Sequence, residues 1–292
     1  MSGASSHLKP LVSHIYTADP SAHVFNNRVY IYPSHDRETD IEDNDNGDQY
    51  DMADYHVLSM DHIGGEVTDH GVVLKQEDIP WVSKQLWAPD AAYNNGKYYL
   101  YFPARDKEGV FRIGVAVGDK PEGPFVPDPE PIAESYSIDP ACLVDDDGQA
   151  YLYFGGLWGG QLQCWQTGEY KAEAYSDMEP KGTVPAIRPR VAKLSDDMRS
   201  FVGGIQEAGI VDEKGELIIA DDHDRSPLGP FTYAGRILEP VEGWTTHHSI
   251  AEVHGKWYLF HHDTSLSGKN HLRCVKVREL VYDAEGKLHL AD

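Results

Sequence analysis

The chain has 292 residues, with 27 glycines, 18 prolines and a formal net charge of −23. That length can bury a large core as one all-β domain or two ordinary ones, and the charge excludes nucleic acid and anionic membranes as partners. Cys142, Cys164 and Cys274 are too few, and odd in number, for a disulfide framework; no apolar run is long enough for a membrane span, and residues 1–10 carry no apolar signal segment, so a cytoplasmic protein is expected, with a processed secreted one left open.

After a lead-in to about residue 15, Asp19 to Tyr32 reads as a strand, a tight turn and a second strand rich in tyrosine. A polar stretch follows. Its Glu42-Asp43-Asn44-Asp45-Asn46-Gly47 is similar to a calcium loop but lacks the bidentate Glu such a loop ends on, so a solvated loop is expected. Tyr55 to Ser59 continues the unit as another strand. Trp87 to Tyr101 repeats the hairpin, Arg112 to Val117 forms an outer strand, and Pro121-Glu122-Gly123-Pro124-Phe125 closes that unit. Ser137 to Phe154 is a third copy, with Asp147-Gly148 as its turn, and His247 to Phe260 is the last. Helical periodicity is weak throughout, and glycine and proline punctuate at short intervals. Four hairpins of one design predict an all-β propeller.

The spacing also shows a loss. Tyr30, Tyr99, Tyr151 and Tyr258 open the inner aromatic strands, and the last interval is about twice the one before it. A closing motif, Ser226-Pro227-Leu228-Gly229-Pro230-Phe231, lies in that interval. Counting back from it lands near Ile205, where no tyrosine-rich hairpin stands. The end of a blade is present without its beginning, although Val211 to Ile219 could form a substitute hairpin.

Asp19, Asp90, Asp139 and His247 occupy similar places at the starts of inner strands, which in a propeller line the mouth of the central channel. On the residues alone, Asp19 and Asp139 are equally well explained as Asp-Pro turn residues that begin a strand. Trp87 could be a core aromatic and His247 a core histidine.

The pieces Ala18-Asp19-Pro20, Tyr50 to His56, Leu86-Trp87-Ala88-Pro89-Asp90, Ser137-Ile138-Asp139-Pro140, Gly229-Pro230-Phe231 and Thr246 to Ile250, in this order, resemble glycoside hydrolase family 43. The resemblance implies a five-bladed propeller, here with an incomplete fourth blade, as a single catalytic domain over 1–292. It implies an exo-acting β-1,4-xylosidase with α-L-arabinofuranosidase activity, acting on xylo-oligosaccharides or arabinose-substituted oligosaccharides by inverting, single-step hydrolysis. It implies Asp19 as general base and Asp139 as the carboxylate that tunes and orients the acid. Trp87, Asp90 and Arg273 would bind substrate, and His247 would stand beside calcium or another divalent cation in the channel. The family's acid motif is absent. Asp222-His223-Asp224-Arg225 runs straight into Ser226, as if about 30 residues of the repeat were lost at that junction. Glu207 is the nearby candidate for the acid, against the plainer reading of a surface carboxylate. A catalytically inactive, pentose-binding member is the alternative.

Overall fold

The computed structural model describes residues 9–175, 183, 186–211, 230–232 and 236–291. The first sheet runs β1 (Tyr16–Phe25), β2 (Arg28–Asp36), β3 (Asp54–Met60) and β4 (Thr68–Lys75) in that order, each strand antiparallel to the next. The second holds β5 (Val82–Lys84), β6 (Asp90–Asn94), β7 (Lys97–Asp106), β8 (Phe111–Gly118) and β9 (Val126–Pro127), with β6 on β7. The third is β10 (Ala141–Val144), β11 (Ala150–Phe154), β12 (Arg190–Leu194) and β13 (Phe201–Glu207). A short parallel pair, β14 (Gly209–Val211) and β15 (Pro230–Thr232), precedes the last sheet of β16 (His248–Val253), β17 (Lys256–Asp263), β18 (Cys274–Tyr282) and β19 (Leu288–Leu290).

Local chemistry explains the hairpins. A two-residue type I′ turn, whose twist matches that of the strands, needs positive φ at both positions. Asn26 and Asn27 between β1 and β2, Asn95 and Gly96 between β6 and β7, and His254 and Gly255 between β16 and β17 all have it, with φ from 49° to 80°. The third hairpin differs from expectation. Val144 pairs with Ala150, so Asp147-Gly148 sits inside a five-residue loop rather than forming a two-residue turn.

The strands bury side chains on both faces, as stacked blades require. One core cluster, with Tyr32, Tyr55, Leu100 and Phe102, fills the seam between the first and second sheets. A second, with Tyr101, Ile113, Leu152 and Phe154, fills the seam between the second and third. A third, with Val29, Ile31, Leu58, Met60, Val253 and Phe260, joins the last sheet to the first and closes the ring. Among the described residues no such cluster joins the third sheet to the last, and there β13 is exposed along most of its length. The fold is thus an all-β propeller, but the described residues make four blades, not five. Residues 212–219 of the expected substitute hairpin and the junction Arg225-Ser226 lie outside the described residues. The three cysteines are unpaired, as expected, and among the described residues no helix is long and apolar enough to cross a membrane.

Phe260 has no exposed surface and sits in the ring-closing cluster. Phe260→Ala is expected to cost about 3–5 kcal/mol in chemical denaturation, because the ring around it cannot fully collapse. A loss below about 1 kcal/mol would show that closure does not rest on this seam.

Candidate active site

Asp19 lies where the β1–β2 register slips between Ala18 and Ser21. Its φ is 47°, and Asp139, also followed by proline, has φ 58°. Aspartate is among the few residues that enter this left-handed region readily, and a bulge re-aims the side chain it carries. Both carboxyls consequently open onto one pocket of about 520 Å³, lined also by Tyr50, Trp87, His247 and Arg273.

Asp19 is buried and fully engaged. Its Oδ2 accepts a 2.6 Å hydrogen bond from Ser34, and its Oδ1 accepts one of 3.0 Å from the Arg273 guanidinium. Burial alone would raise its pKa. Arg273, then His262 and His247, outweigh burial and hold the carboxyl well below the usual carboxylate range. His262 is buried beneath it. Its Nδ1 accepts the Asp19 amide N–H at 3.0 Å, which leaves its Nε2–H to donate to the Thr245 carbonyl at 2.9 Å. Burial, with Arg273 nearby, pushes this imidazole down to about 3, so it stays neutral.

Arg273 uses most of its donors within the protein. Its Nε and Nη2 bind both oxygens of Asp36 at 2.9 and 2.8 Å, and its Nη1 reaches Asp19 and Thr245. The guanidinium lies 4.7 Å from the centre of the Tyr50 ring and is 3% exposed. It borders the pocket, and its contacts make it the counter-ion of Asp19 and Asp36.

Asp139 is shifted the other way. Burial raises its pKa to about 6, the Asp19 charge adds to the rise, and His247 opposes it. His247 stands between the two carboxyls, its Nδ1 4.0 Å from Asp19 Oδ1 and 3.9 Å from Asp139 Oδ1.

The other expected residues divide. Trp87 lines the pocket but is largely core. Its indole N–H donates to the Tyr50 carbonyl, and its ring packs 4.6 Å from that of Phe111. A Cβ on Gly47, which has φ +74°, would come within 2.6 Å of the Trp87 ring, so the loop can cross this ring only as glycine. Asp90 is not in the pocket lining. It is buried at the inner ends of three blades, taking hydrogen bonds from Ser21 and His23 of β1 and from the Cys142 amide of β10. Glu207 is not in the lining either. Its exposed carboxylate turns onto Arg188, at 3.2 Å, and Arg190, at 3.6 Å.

Other pocket residues gave no sequence signal that was read. The polar loop expected to be merely solvated supplies Asn44, Asp45, Gly47 and Gln49 to the wall. Its own turns, and Gln85 bound to the Gly47 carbonyl, hold it in place. Trp158 and Trp244 line the mouth and are 46% and 60% exposed, offering the ring surface that Trp87 keeps buried. Among the described residues, His35, Asp54 and His56 form a group of three side chains close enough to share a metal ion, outside the pocket lining.

The family model described as glycosyl hydrolases family 43 matches residues 12–185. The chain is 63% identical over 321 aligned positions to a xylosidase/arabinosidase 43A of Humicola insolens, covering 96% of this chain and 98% of that one. The alignment is longer than the whole chain, so that relative carries residues with no counterpart here. Among solved structures, a β-xylosidase/α-arabinofuranosidase of this family from a compost microbial metagenome, complexed with xylotriose in a calcium-free form, matches with a TM-score of 0.93 and 57% identity. It covers 97% of this chain and is itself covered over 96%. An enzyme of the same family from Xanthomonas citri, complexed with xylotriose, matches with a TM-score of 0.88 and 49% identity over 96% of this chain and 92% of its own.

Because its carboxyl pKa is raised on folding, Asp139 binds its proton more tightly in the folded state than in the unfolded one. Stability therefore declines as pH rises from the ordinary carboxyl range through about 6. Asp139→Asn cannot ionise and keeps a side chain that tolerates this backbone. The variant should gain melting temperature over the wild type across that interval and hold a constant lead above it. A difference independent of pH would show that Asp139 is not held protonated.

Proposed function

The chain belongs to glycosyl hydrolase family 43, and on that premise we propose that it releases xylose from the ends of β-1,4-linked xylo-oligosaccharides, with arabinofuranosyl groups as second substrates, by single-step hydrolysis with inversion. It is a glycoside hydrolase, and xylo-oligosaccharides suit its pocket. The observation that carries the mechanism is a pair of pocket carboxyls beside one histidine whose surroundings push their pKa values apart, Asp19 down and Asp139 up to about 6. The His247 distances bound the two carboxyl oxygens to about 8 Å or less from one another, which overlaps the roughly 6.5–9.5 Å that leaves room for a water in an inverting site.

Asp19, kept ionised by Arg273, takes the proton of that water as its oxygen bonds to the anomeric carbon. The glycosidic C–O bond breaks, and the departing oxygen needs a proton. The family resemblance gives Asp139 the task of tuning a separate acid. Among the described residues we assign the proton to Asp139 itself, because Glu207 is engaged by two arginines and Asp45 stands on the exposed rim. Trp158 and Trp244 would flank the sugar at the mouth. The β14–β15 pair would stand where a fifth blade belongs, as the remnant of the fourth in sequence. The described residues would then act as one catalytic unit.

A divalent cation such as calcium fits beside His247 only with water completing its shell. Calcium takes 6–8 oxygen ligands, and both oxygens of Asp19 already accept hydrogen bonds. His247 would hold it through water, and Asp139, which must keep its proton to give, would not be a ligand.

For xylobiose, kcat/KM should fall as pH rises through about 6, because the ionised Asp139 has no proton to give. Asp139→Asn should lower it by about 10²–10⁴-fold, while an aryl xyloside with an acidic phenol, which leaves without a proton, should lose far less. Equal losses on both substrates would remove Asp139 as the proton source. No turnover of any aryl xyloside by the wild type would favour the pentose-binding alternative. Chelation should change the rate and added calcium restore it; a rate unmoved by both would dismiss the channel cation.

A further inference from the structure

His35, Asp54 and His56 form a compact group in which one ligand atom from each lies within 4.8 Å of the others. The ladder that pairs Ser34 with Tyr55 sets His35 across from Asp54, and His56 follows two residues on, on the same face of β3. The next residue along β2, Asp36, turns the other way to hold Arg273. The group therefore occupies the face of the first blade away from that buried arginine, and none of its members lines the pocket. The three side chains are 17%, 21% and 11% exposed, partly sheltered yet open to an entering ion.

A second layer already holds one ligand in place. Asp69 sits 2.9 Å from His56 Nδ1, and its same oxygen accepts the Gly71 amide at 2.8 Å. The other Asp69 oxygen lies 2.7 Å from His14 Nε2 in the lead-in. A histidine that gives its Nδ1–H to a carboxylate presents the Nε2 lone pair outward, and this pairing is the usual support of a metal-bound imidazole. Here His56 Nε2 faces Asp54 Oδ1 at 3.9 Å. His35 Nδ1 lies 2.6 Å from the same oxygen. To share an ion those two atoms need only part to about 3.3 Å, the edge of a tetrahedron with bonds of about 2.0–2.1 Å.

We propose that His35, Asp54 and His56 are a binding site for a divalent transition-metal ion of the zinc class, with water as the fourth ligand, which clamps β2 to β3. Two imidazoles and one carboxylate suit zinc, nickel or cobalt, whereas calcium and magnesium call for cages of oxygen. The Asp69 link carries the clamp on to His14 in the lead-in. The site lies apart from the chemistry of the pocket, so its occupancy acts on stability: an ion that binds only the folded chain raises the melting temperature in proportion to its saturation.

The test uses the full chain, stripped with EDTA and then exchanged into metal-free buffer. Titration with zinc chloride should show a site near one ion per chain and a rise in melting temperature that the same concentration of calcium chloride does not produce. His35→Asn and His56→Gln should each lower zinc affinity by at least tenfold and abolish the rise. Both should hydrolyse an aryl xyloside within about twofold of the wild-type rate in metal-free buffer, which also shows that they are folded. Zinc binding of undiminished affinity in both variants would place the ion elsewhere and overturn the proposal, as would calcium matching zinc or the absence of zinc binding at micromolar concentration.

Discussion

The buried guanidinium of Arg273 is the interaction on which the rest depends. It comes from the loop entering β18 in the last blade, and both carboxylates it neutralises, Asp19 and Asp36, come from the first. Any one of these charges left alone at this depth would cost several kcal/mol; together, with Ser34 and Thr245 completing the hydrogen bonds, they are tolerated. The backbone runs alongside, Thr17 N–H to the Arg273 carbonyl and Leu11 N–H to that of Val275. Closing the ring and setting the charge state of Asp19 are thus the same event. A chain with the first and last blades apart has neither a closed core nor an ionised base held in position.

Asp90 plays a related part away from the pocket lining. By collecting hydrogen bonds from Ser21, His23 and Cys142, it ties the inner ends of the first three blades. Outside this polar hub, three apolar seams carry the packing. The fourth side of the ring is different. Asp139 enters from the third blade and His247 from the last, and no seam among the described residues lies between those two sheets. Among the described residues, what spans that side is the pocket itself, where His247 stands 4.0 Å from Asp19 and 3.9 Å from Asp139.

The hairpins were legible because their turns have a chemical signature. Asn-Asn, Asn-Gly and His-Gly pairs beside tyrosine-rich runs leave few other conformations for the chain. Asp19 and Asp139 were legible as a pair because the same Asp-Pro step recurs at the same place in the repeat. The counter-charges were not. Asp36 and Arg273 are 237 residues apart, and nothing local marks a carboxylate that will be buried against a distant guanidinium. Asp90 shares the motif position of a channel residue, yet its neighbours enclose it. Composition at residues 42–47 pointed to a solvated loop but could not place it on the pocket wall, since a polar loop there and one in open water use the same residues. Glu207 was singled out by a two-residue likeness, which carries no information about the two arginines beside it.

The left-handed backbone at Asp19 and Asp139 bears on how this lineage can change. At each position one residue type meets two separate demands: a carboxyl aimed into the pocket and a main chain that most side chains resist. If selection for hydrolysis were relaxed, only the first demand would lapse. The replacements then open to drift would be asparagine and glycine, which keep the turn, before alanine or any branched residue, which would unsettle it. A descendant that had exchanged catalysis for plain sugar binding would carry that loss as Asn-Pro or Gly-Pro on an otherwise unaltered propeller.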